Sequence, residues 1–388
     1  MRILFLVYHG FSEYSGISKK IHYQVKGLRE NGHDVRLCYY GFAENGHRCR
    51  YIDDKVIEDF GKGKLAGMRQ RLSYDSIYEY CIQEKIEFVY ARSFMNSTPW
   101  LIRFFSKLRK FGVKAVTEIP TFPYDTEFSP HVWKQPLNFI VDKIFRSRLS
   151  QQMVAMVTFS DATEIFGQRT IRISNGVDFD SIPLHPTRYN PQEPLHLIAV
   201  AEVKLWHGLD RMIEGLGEYY NRMKTEGRKA KEIYFHIVGG IWDGHMTGER
   251  GFRTLIERYQ LQNRVILHGQ LFGQQLDAVF DQSQFAVGSL GRHRSGITII
   301  KTLKNREYAT RGLPFIYSEQ DSDFDHQPYV LKASADDSPI EVQQIIDFMN
   351  NFSMKPEEIR HSVECLSWKI QMQKVIDQAI NIELWTTK

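Results

Sequence analysis

The chain alternates short apolar runs with amphipathic stretches from end to end. Residues 3–8 are continuously apolar, the pattern of a parallel strand buried on both faces. A glycine-bearing turn follows. Ile17, Ile21, Val25 and Leu28 then recur at helical spacing until Asn31-Gly32 closes that helix. Residues 35–40 predict a second strand. Residues 45–64 are polar and glycine-rich and predict a loop, with Asp53-Asp54 as a solvated turn. The pattern then predicts a helix over 65–85, a strand over 87–91, a helix over 96–110 and a strand over 113–118. A long helix over 132–150 and a strand over 153–159 come next. Ser160-Asp161 is read as the cap of a short helix, and residues 170–173 as a last short strand.

Pro183, Pro186, Pro191 and Pro194 mark the clearest composition shift, read as a linker over 175–194 between a first domain, 1–174, and a second, 195–366. The second half repeats the alternation. Strands are predicted over 195–201, 233–238 and 265–268. Helices are predicted over 209–220, 251–259, 272–282, 339–351, 356–364 and 367–384. Two strand-helix series of this kind predict an α/β protein with two Rossmann-like parallel sheets facing across a cleft.

Composition narrows the reading. The chain has 388 residues, 42% of them hydrophobic and 13% aromatic, which suits two packed cores. Net charge is +4 and no half of the chain carries a dense basic tract, which argues against a dedicated nucleic-acid binder. Cys38, Cys49, Cys81 and Cys365 have no CxxC or metal spacing and read as reduced thiols of a cytosolic protein. The apolar start lacks a small-residue cleavage site, and no window approaches a membrane-spanning length. These features predict a cytoplasmic protein, soluble or peripheral at a membrane.

The densest chemistry lies between Val287 and Tyr317. A strand ends in a loop with Gly288, Gly291 and Gly296, a basic helix spans 301–311, and Gly312 and Pro314 stop it before another strand. Such a unit aims backbone N–H groups and a helix N-terminus at one point, where a phosphate fits. Arg292, His293, Arg294, Lys301 and Lys304 add positive charge, and Glu307 is placed to accept hydrogen bonds from a ribose diol. The plain alternative is an ordinary crossover with a solvated basic helix. The first turn, with Ser15-Gly16, lacks a full GxGxxG, which speaks against a nicotinamide cofactor.

Five pieces in order carry a resemblance: Ser15-Gly16, the Ser174 to Asp178 crossing, the Ala199 to Gly208 strand and loop, Val238-Gly239-Gly240, and the Arg306 to Ile316 segment. In that order they resemble retaining glycosyltransferases of the GT-B fold and family 4 type, and more narrowly bacterial capsule or cell-surface polysaccharide transferases. The resemblance implies a C-terminal helix, 367–388, packing back on the first domain. It implies a UDP- or GDP-sugar donor, no further cofactor and no metal. Lys204, His207 and Glu307 would carry catalysis. Gly16, Gly239, Gly240, Arg294, Ser295, Thr298, Ile299, Lys304 and Glu307 would line the donor site. His207 stands in a usual lysine place and Glu202 in a usual arginine place, which shifts phosphate binding toward Lys204. Ile299 stands where the family has a glutamate facing the donor sugar: either the loop register differs, or Arg294, Ser295 or Thr298 holds the sugar, or activity is reduced, and Ile299 itself either faces the sugar or packs in the core. In front-face chemistry of this family type the leaving phosphate helps deprotonate the acceptor, so no glycosidase-like carboxylate pair is required.

Glu118, Tyr124 and Asp125 sit at a strand's carboxyl end and are read as contacts for a glycan or lipid-linked glycan acceptor, or as a structural proline turn. Tyr8 and His9 are weaker acceptor contacts. Asp321-Ser322-Asp323 is read as a polar loop rather than a metal site. Helix 101–110 is basic and amphipathic, offering either a peripheral contact with an anionic membrane or a core face with solvated charges. Two rival functions stay open at this point: a catalytically weak partner subunit that binds nucleotide or glycan, and a nucleotide-sugar epimerase.

Overall fold

A computed structural model describes all residues except 13–14, 124–135, 187–188, 242–243, 245 and 383–388. The chain divides into two compact units, Met1–Gly176 with Ser367–Lys388, and Val177–Leu366.

The first unit is built on a nine-stranded sheet of order β4-β3-β2-β1-β5-β6-β7-β9-β8. Its strands are β1 (Arg2–Leu6), β2 (Asp34–Phe42), β3 (Arg48–Ile52), β4 (Lys55–Gly61), β5 (Phe88–Arg92), β6 (Lys114–Ile119), β7 (Ala155–Thr158), β8 (Glu164–Ile165) and β9 (Gln168–Arg172). From β2 to β9 the neighbours are parallel, whereas β3, β4 and β8 add antiparallel edges. The helices are α1 (Gly16–Glu30), α2 (Gly63–Leu72), α3 (Asp75–Gln83), α4 (Pro99–Lys110) and α5 (Pro136–Ser150), with a C-terminal α12 (Trp368–Ile380).

Alternation along β1 explains why it is apolar throughout. Ile3, Phe5 and Val7 pack with Ile21, Val25 and Leu28 of α1 and with Trp368, Met372 and Val375 of α12. Leu4 and Leu6 point to the other side, toward Ile77 and Cys81 of α3 and Leu101, Phe104, Phe105 and Leu108 of α4. Each such side chain contributes roughly 1.5–3 kcal/mol by burial. Gly27 lets α1 and α12 touch, because a β-carbon there would stand 2.7–2.8 Å from the backbone at Trp368 and Lys369.

The second unit has a six-stranded, wholly parallel sheet of order β12-β11-β10-β13-β14-β15. Its strands are β10 (Leu195–Val200), β11 (Ile233–Val238), β12 (Val265–Gly269), β13 (Phe285–Val287), β14 (Phe315–Tyr317) and β15 (Val330–Lys332). Its helices are α6 (Leu209–Thr225), α7 (Phe252–Arg258), α8 (Gly273–Asp281), α9 (Leu303–Arg311), α10 (Val342–Asn351) and α11 (Pro356–Ser362). α6, α7 and α10 cover one face of the sheet, and α8, α9 and α11 the other.

Several expectations need correction. Residues 45–64 are not a loop but the β3–β4 hairpin, with Asp53 and Asp54 both left-handed at its tip (φ 44° and 67°). Asp53 is bound as well, accepting from Leu37 N–H at 3.0 Å and facing Arg36 at 3.3 Å. The helix expected over 65–85 breaks into α2 and α3 at Ser73-Tyr74. After Ser160-Asp161 comes strand β8 rather than a helix, and β15 had no sequence signal. The apolar face of α4 lies in the core, which supports the core-helix alternative there. Among the described residues no helix is long and apolar enough to cross a membrane.

Candidate functional site

In the second unit the chain runs from β10 outward to β11 and β12, then returns to β13 on the other side of β10. The sheet order thus reverses between β10 and β13, and ligands of open α/β sheets bind at the carboxyl ends of strands beside such a point. The loops leaving these two strands are locked together. Leu290 N–H donates to the His207 carbonyl at 2.8 Å, and Gly291 N–H to the Trp206 carbonyl at 3.2 Å. Gly208 is left-handed (φ 60°), and a β-carbon there would stand 2.5 Å from the Gly291 nitrogen.

Lys204 begins a 3-10 turn, Leu205–His207, on the first of these loops. Its Nζ meets Glu202 at 3.0 Å. His207 is buried, and its Nδ1 accepts the Lys204 backbone N–H at 3.0 Å, so this nitrogen shapes the turn. Gly239 and Gly240 end β11 beside the same loop. Gly240 O accepts from Val203 N–H at 2.8 Å, and Gly239 N–H donates to Gly269 O at 2.7 Å.

Lys204, Gly208, Asp210, Arg250, Arg294 and Asp337 line a cavity of about 360 Å³ at these strand ends. Arg294 grips Asp210 with both terminal nitrogens at 2.8 Å and Asp337 with Nε at 2.6 Å. Arg250 meets the same Asp210 at 2.9 Å. Arg294, expected on the donor, is thus tied to two carboxylates of its own unit. Asp210, Arg250 and Asp337 carry no sequence signal, since nothing in the sequence pairs residues 40 or more positions apart. Ser295 closes its own turn onto the Arg292 carbonyl at 2.8 Å. Thr298 is exposed, with its carbonyl accepting Gln320 N–H at 2.7 Å. Ile299 is 61% exposed rather than in the core.

The N-terminus of α9 lies between the ends of β13 and β14. Its cap residue, Thr302, makes no side-chain cap bond, and the Thr302 Oγ1 is buried without a protein hydrogen-bond partner. Ser289 Oγ, Asn305 Oδ1 and Glu319 Oε2 are in the same condition. Asn305 Nδ2 reaches Glu319 Oε1 only at 3.5 Å. Buried polar atoms are normally satisfied, so such a cluster marks a place for a polar guest or water. Lys304 is half-buried here. Burial, and next the Arg292 charge, pull its pKa down to about 7. Burial pushes the Glu319 carboxyl up, against the pull of Arg292 and Lys304. Glu319 carried no sequence signal beyond lying at a strand end.

Glu307 lies one turn along α9, partly exposed, with Arg311 holding its Oε1 at 3.2 Å and itself fixed by Asp277 at 2.8 Å. The Asp321-Ser322-Asp323 triplet is engaged by Arg306. Its two terminal nitrogens meet the Asp321 oxygens at 2.5 and 2.9 Å, one of them also bonds Asp323, and Lys301 adds a contact to Asp323 at 3.3 Å.

In the first unit, Gly16 is the first residue of α1, capped by Ser15, whose Oγ accepts Ser18 N–H at 3.3 Å. A β-carbon at Gly16 would meet nothing within 4 Å. Glu118 is fully buried at the end of β6. Gln24 and Tyr90 donate to its Oε2 at 2.7 and 2.6 Å, Lys20 lies 3.4 Å from Oε1, and Arg92 bonds Oε1 as well. Burial raises this carboxyl's pKa, but Lys20 and Arg92 outweigh it and hold the group at about 2. Tyr124 and Asp125 lie outside the described residues.

No family model and no curated protein sequence matches the chain. Solved structures do match over nearly its whole length. Sucrose-phosphate synthase from Thermosynechococcus elongatus is 13% identical with a TM-score of 0.57, covering 98% of this chain and 99% of that one. The catalytic domain of starch synthase IV from Arabidopsis thaliana, bound to ADP and acarbose, is 11% identical (TM-score 0.57, 97% and 98% covered). HepE from Anabaena, in complex with UDP and glucose, is 13% identical (TM-score 0.52, 98% and 96% covered). The chain therefore has the GT-B fold, with its two α/β units built on parallel sheets.

Proposed function

We propose that this chain is a retaining glycosyltransferase. In this reading it moves a sugar, of the hexosyl type, from a UDP- or GDP-sugar to a glycan or lipid-linked glycan acceptor in cell-surface polysaccharide synthesis. The observation that carries it is the α9 N-terminus beside the β10/β13 reversal. There Lys304 and Arg292 bring charge to a cluster of buried polar atoms that lack protein partners. Two fold relatives, one bound to ADP and acarbose and one in complex with UDP and glucose, favour a nucleotide guest.

The chemistry follows from these groups. The bond from the anomeric carbon to the β-phosphate oxygen breaks, and a bond from that carbon to the acceptor oxygen forms on the same face. The acceptor proton passes to the leaving phosphate. Negative charge grows on that phosphate, and the helix N-terminus with Lys304 and Arg292 stabilises it. Lys204 and His207 shape the neighbouring loop, Gly239 and Gly240 lie toward the nucleoside, and Glu307, oriented by Arg311, accepts the ribose hydroxyls. Ile299, exposed beside Thr298 and Ser295, offers a sugar no hydrogen bond. This favours a donor deoxygenated at the carbon that faces it. Tyr124 and Asp125 are assigned to the acceptor side, while Glu118 is closed in and holds Lys20 and Arg92 rather than a sugar.

The test is a panel of nucleoside diphosphates and nucleotide sugars followed by melting temperature and calorimetry, then product anomer by magnetic resonance. A ligand that binds the folded state raises the melting temperature. UDP or GDP should stabilise the protein, and Glu307→Ala should weaken that binding at least about tenfold, given ~1.5–3 kcal/mol for each hydrogen bond to a charged group. A protein indifferent to every nucleotide would overturn the reading.

A further inference from the structure

Two neighbouring helices of the first unit carry a concentrated positive charge. Every charged residue of α4 is basic: Arg103, Lys107, Arg109 and Lys110, of which Lys107 is paired with Asp75 of α3 at 3.2 Å. α5 adds Lys143, Arg146 and Arg148. Its one acid, Asp142, is buried and accepts a hydrogen bond from Ser97 N–H at 3.0 Å. Arg109 donates to the Gln151 carbonyl at 3.1 Å, so the two helices run side by side in the same direction. The rest of the chain offsets this charge, since its overall balance is only +4.

The helices differ in where they place apolar residues. α4 turns Leu101, Phe104, Phe105 and Leu108 into the core. α5 leaves Leu137 71%, Ile140 53% and Ile144 59% exposed. Their spacing of three and four residues puts them on one stripe of the helix. Lys143 and Arg148 are exposed on the same helix. An aliphatic stripe flanked by basic side chains is the make-up of a helix that lies in the plane of a lipid interface.

We propose that α5 docks on an anionic phospholipid surface. Leu137, Ile140 and Ile144 enter the headgroup boundary, and the exposed Lys143 and Arg148 of α5, with Arg103 and Lys110 of α4, meet lipid phosphates. A nucleic acid fits this surface less well, because it would leave three aliphatic side chains against phosphates and water. A second copy of the chain would bring two strongly positive faces together. The proposal does not depend on the reaction the second unit carries out. It also moves the lipid contact from α4, whose amphipathic pattern belongs to the core, to α5.

Vesicle co-sedimentation of the full chain tests it, with phosphatidylcholine alone and mixed with phosphatidylglycerol, at low and high salt. Binding is expected on the anionic vesicles only and should fall as salt rises. The double variant Ile140→Asp/Ile144→Asp and the double variant Lys143→Glu/Arg148→Glu should each weaken it at least about tenfold. All four positions are exposed, so melting temperatures should match the wild type. The proposal falls if the wild type ignores anionic vesicles at low salt, or if both variants sediment as the wild type does. It falls equally if the variants abolish duplex DNA binding or self-association while vesicle binding is absent.

Discussion

Arg306 and Asp321 face each other fork to fork with no exposed surface on either, at 2.5 and 2.9 Å. The pair sits beneath the α9 N-terminus and fixes the loop that follows β14. Removing one partner of a buried ion pair strands the other charge, at a cost of about 3–5 kcal/mol. Arg306→Met should therefore lower stability by that order, read from urea unfolding.

The same pair bears on metal dependence. With Asp321 and Asp323 held by Arg306, the proposed transfer should run unchanged in excess chelator. Loss of turnover on chelation, restored by manganese or magnesium, would instead make those carboxylates ligands.

A β-carbon on Gly239 would stand 1.8 Å from the Ala201 carbonyl oxygen, and the residue has φ 130°. Both the conformation and the space exclude a side chain. Gly239→Ala should destabilise the second unit by more than about 3 kcal/mol, a size reserved for strain and overpacking. Gly16→Ala meets no such obstacle and should leave the melting temperature nearly unchanged.

Lys304 gives the proposed donor site a pH signature. Its pKa is lowered to about 7 in the free protein, and a bound diphosphate favours the charged form and raises it. Affinity for UDP or GDP should thus be greatest below about 7 and weaken as pH rises above it. Binding near pH 8 should take up a proton, which calorimetry in buffers of different ionisation heat detects. Lys304→Met should abolish both effects. Unchanged proton uptake in that variant would assign the linkage elsewhere.

Glu118 gives the first unit an acid limit. Its pKa is lowered from 4.5 to about 2, so its contribution is fully present above about 4.5 and is lost as pH falls toward about 2. That shift corresponds to about 3 kcal/mol. Glu118→Gln should lower stability at neutral pH by a similar order and flatten the stability profile between these limits.

The sequence by itself determined the class of the fold. An apolar run such as 3–7 is buried on both sides, and helical spacing at Ile21, Val25 and Leu28 needs only nearest-neighbour geometry. Stop signals are local too, which is why the C-terminal end of α9 at Gly312 was legible. Pattern failed where a strand is an amphipathic edge: β3 and β4 alternate weakly, and their polar residues read as loop until β2 supplies hydrogen-bond partners.

Tertiary structure alone decided which charges are free to act. Arg294 read as a donor ligand and is held by Asp210 and Asp337; Glu118 read as an acceptor contact and is closed in by Lys20, Arg92, Tyr90 and Gln24. α4 read equally as a lipid helix or a core helix, and folding turns its apolar side inward, leaving α5 with the exposed stripe. Glu319, Asn305 and Ser289 gained meaning only when β13, β14 and α9 brought them together. The physical reason is the same in each case. Periodicity records which residues share a face, whereas pairing and burial depend on residues far apart in the chain that only folding makes neighbours.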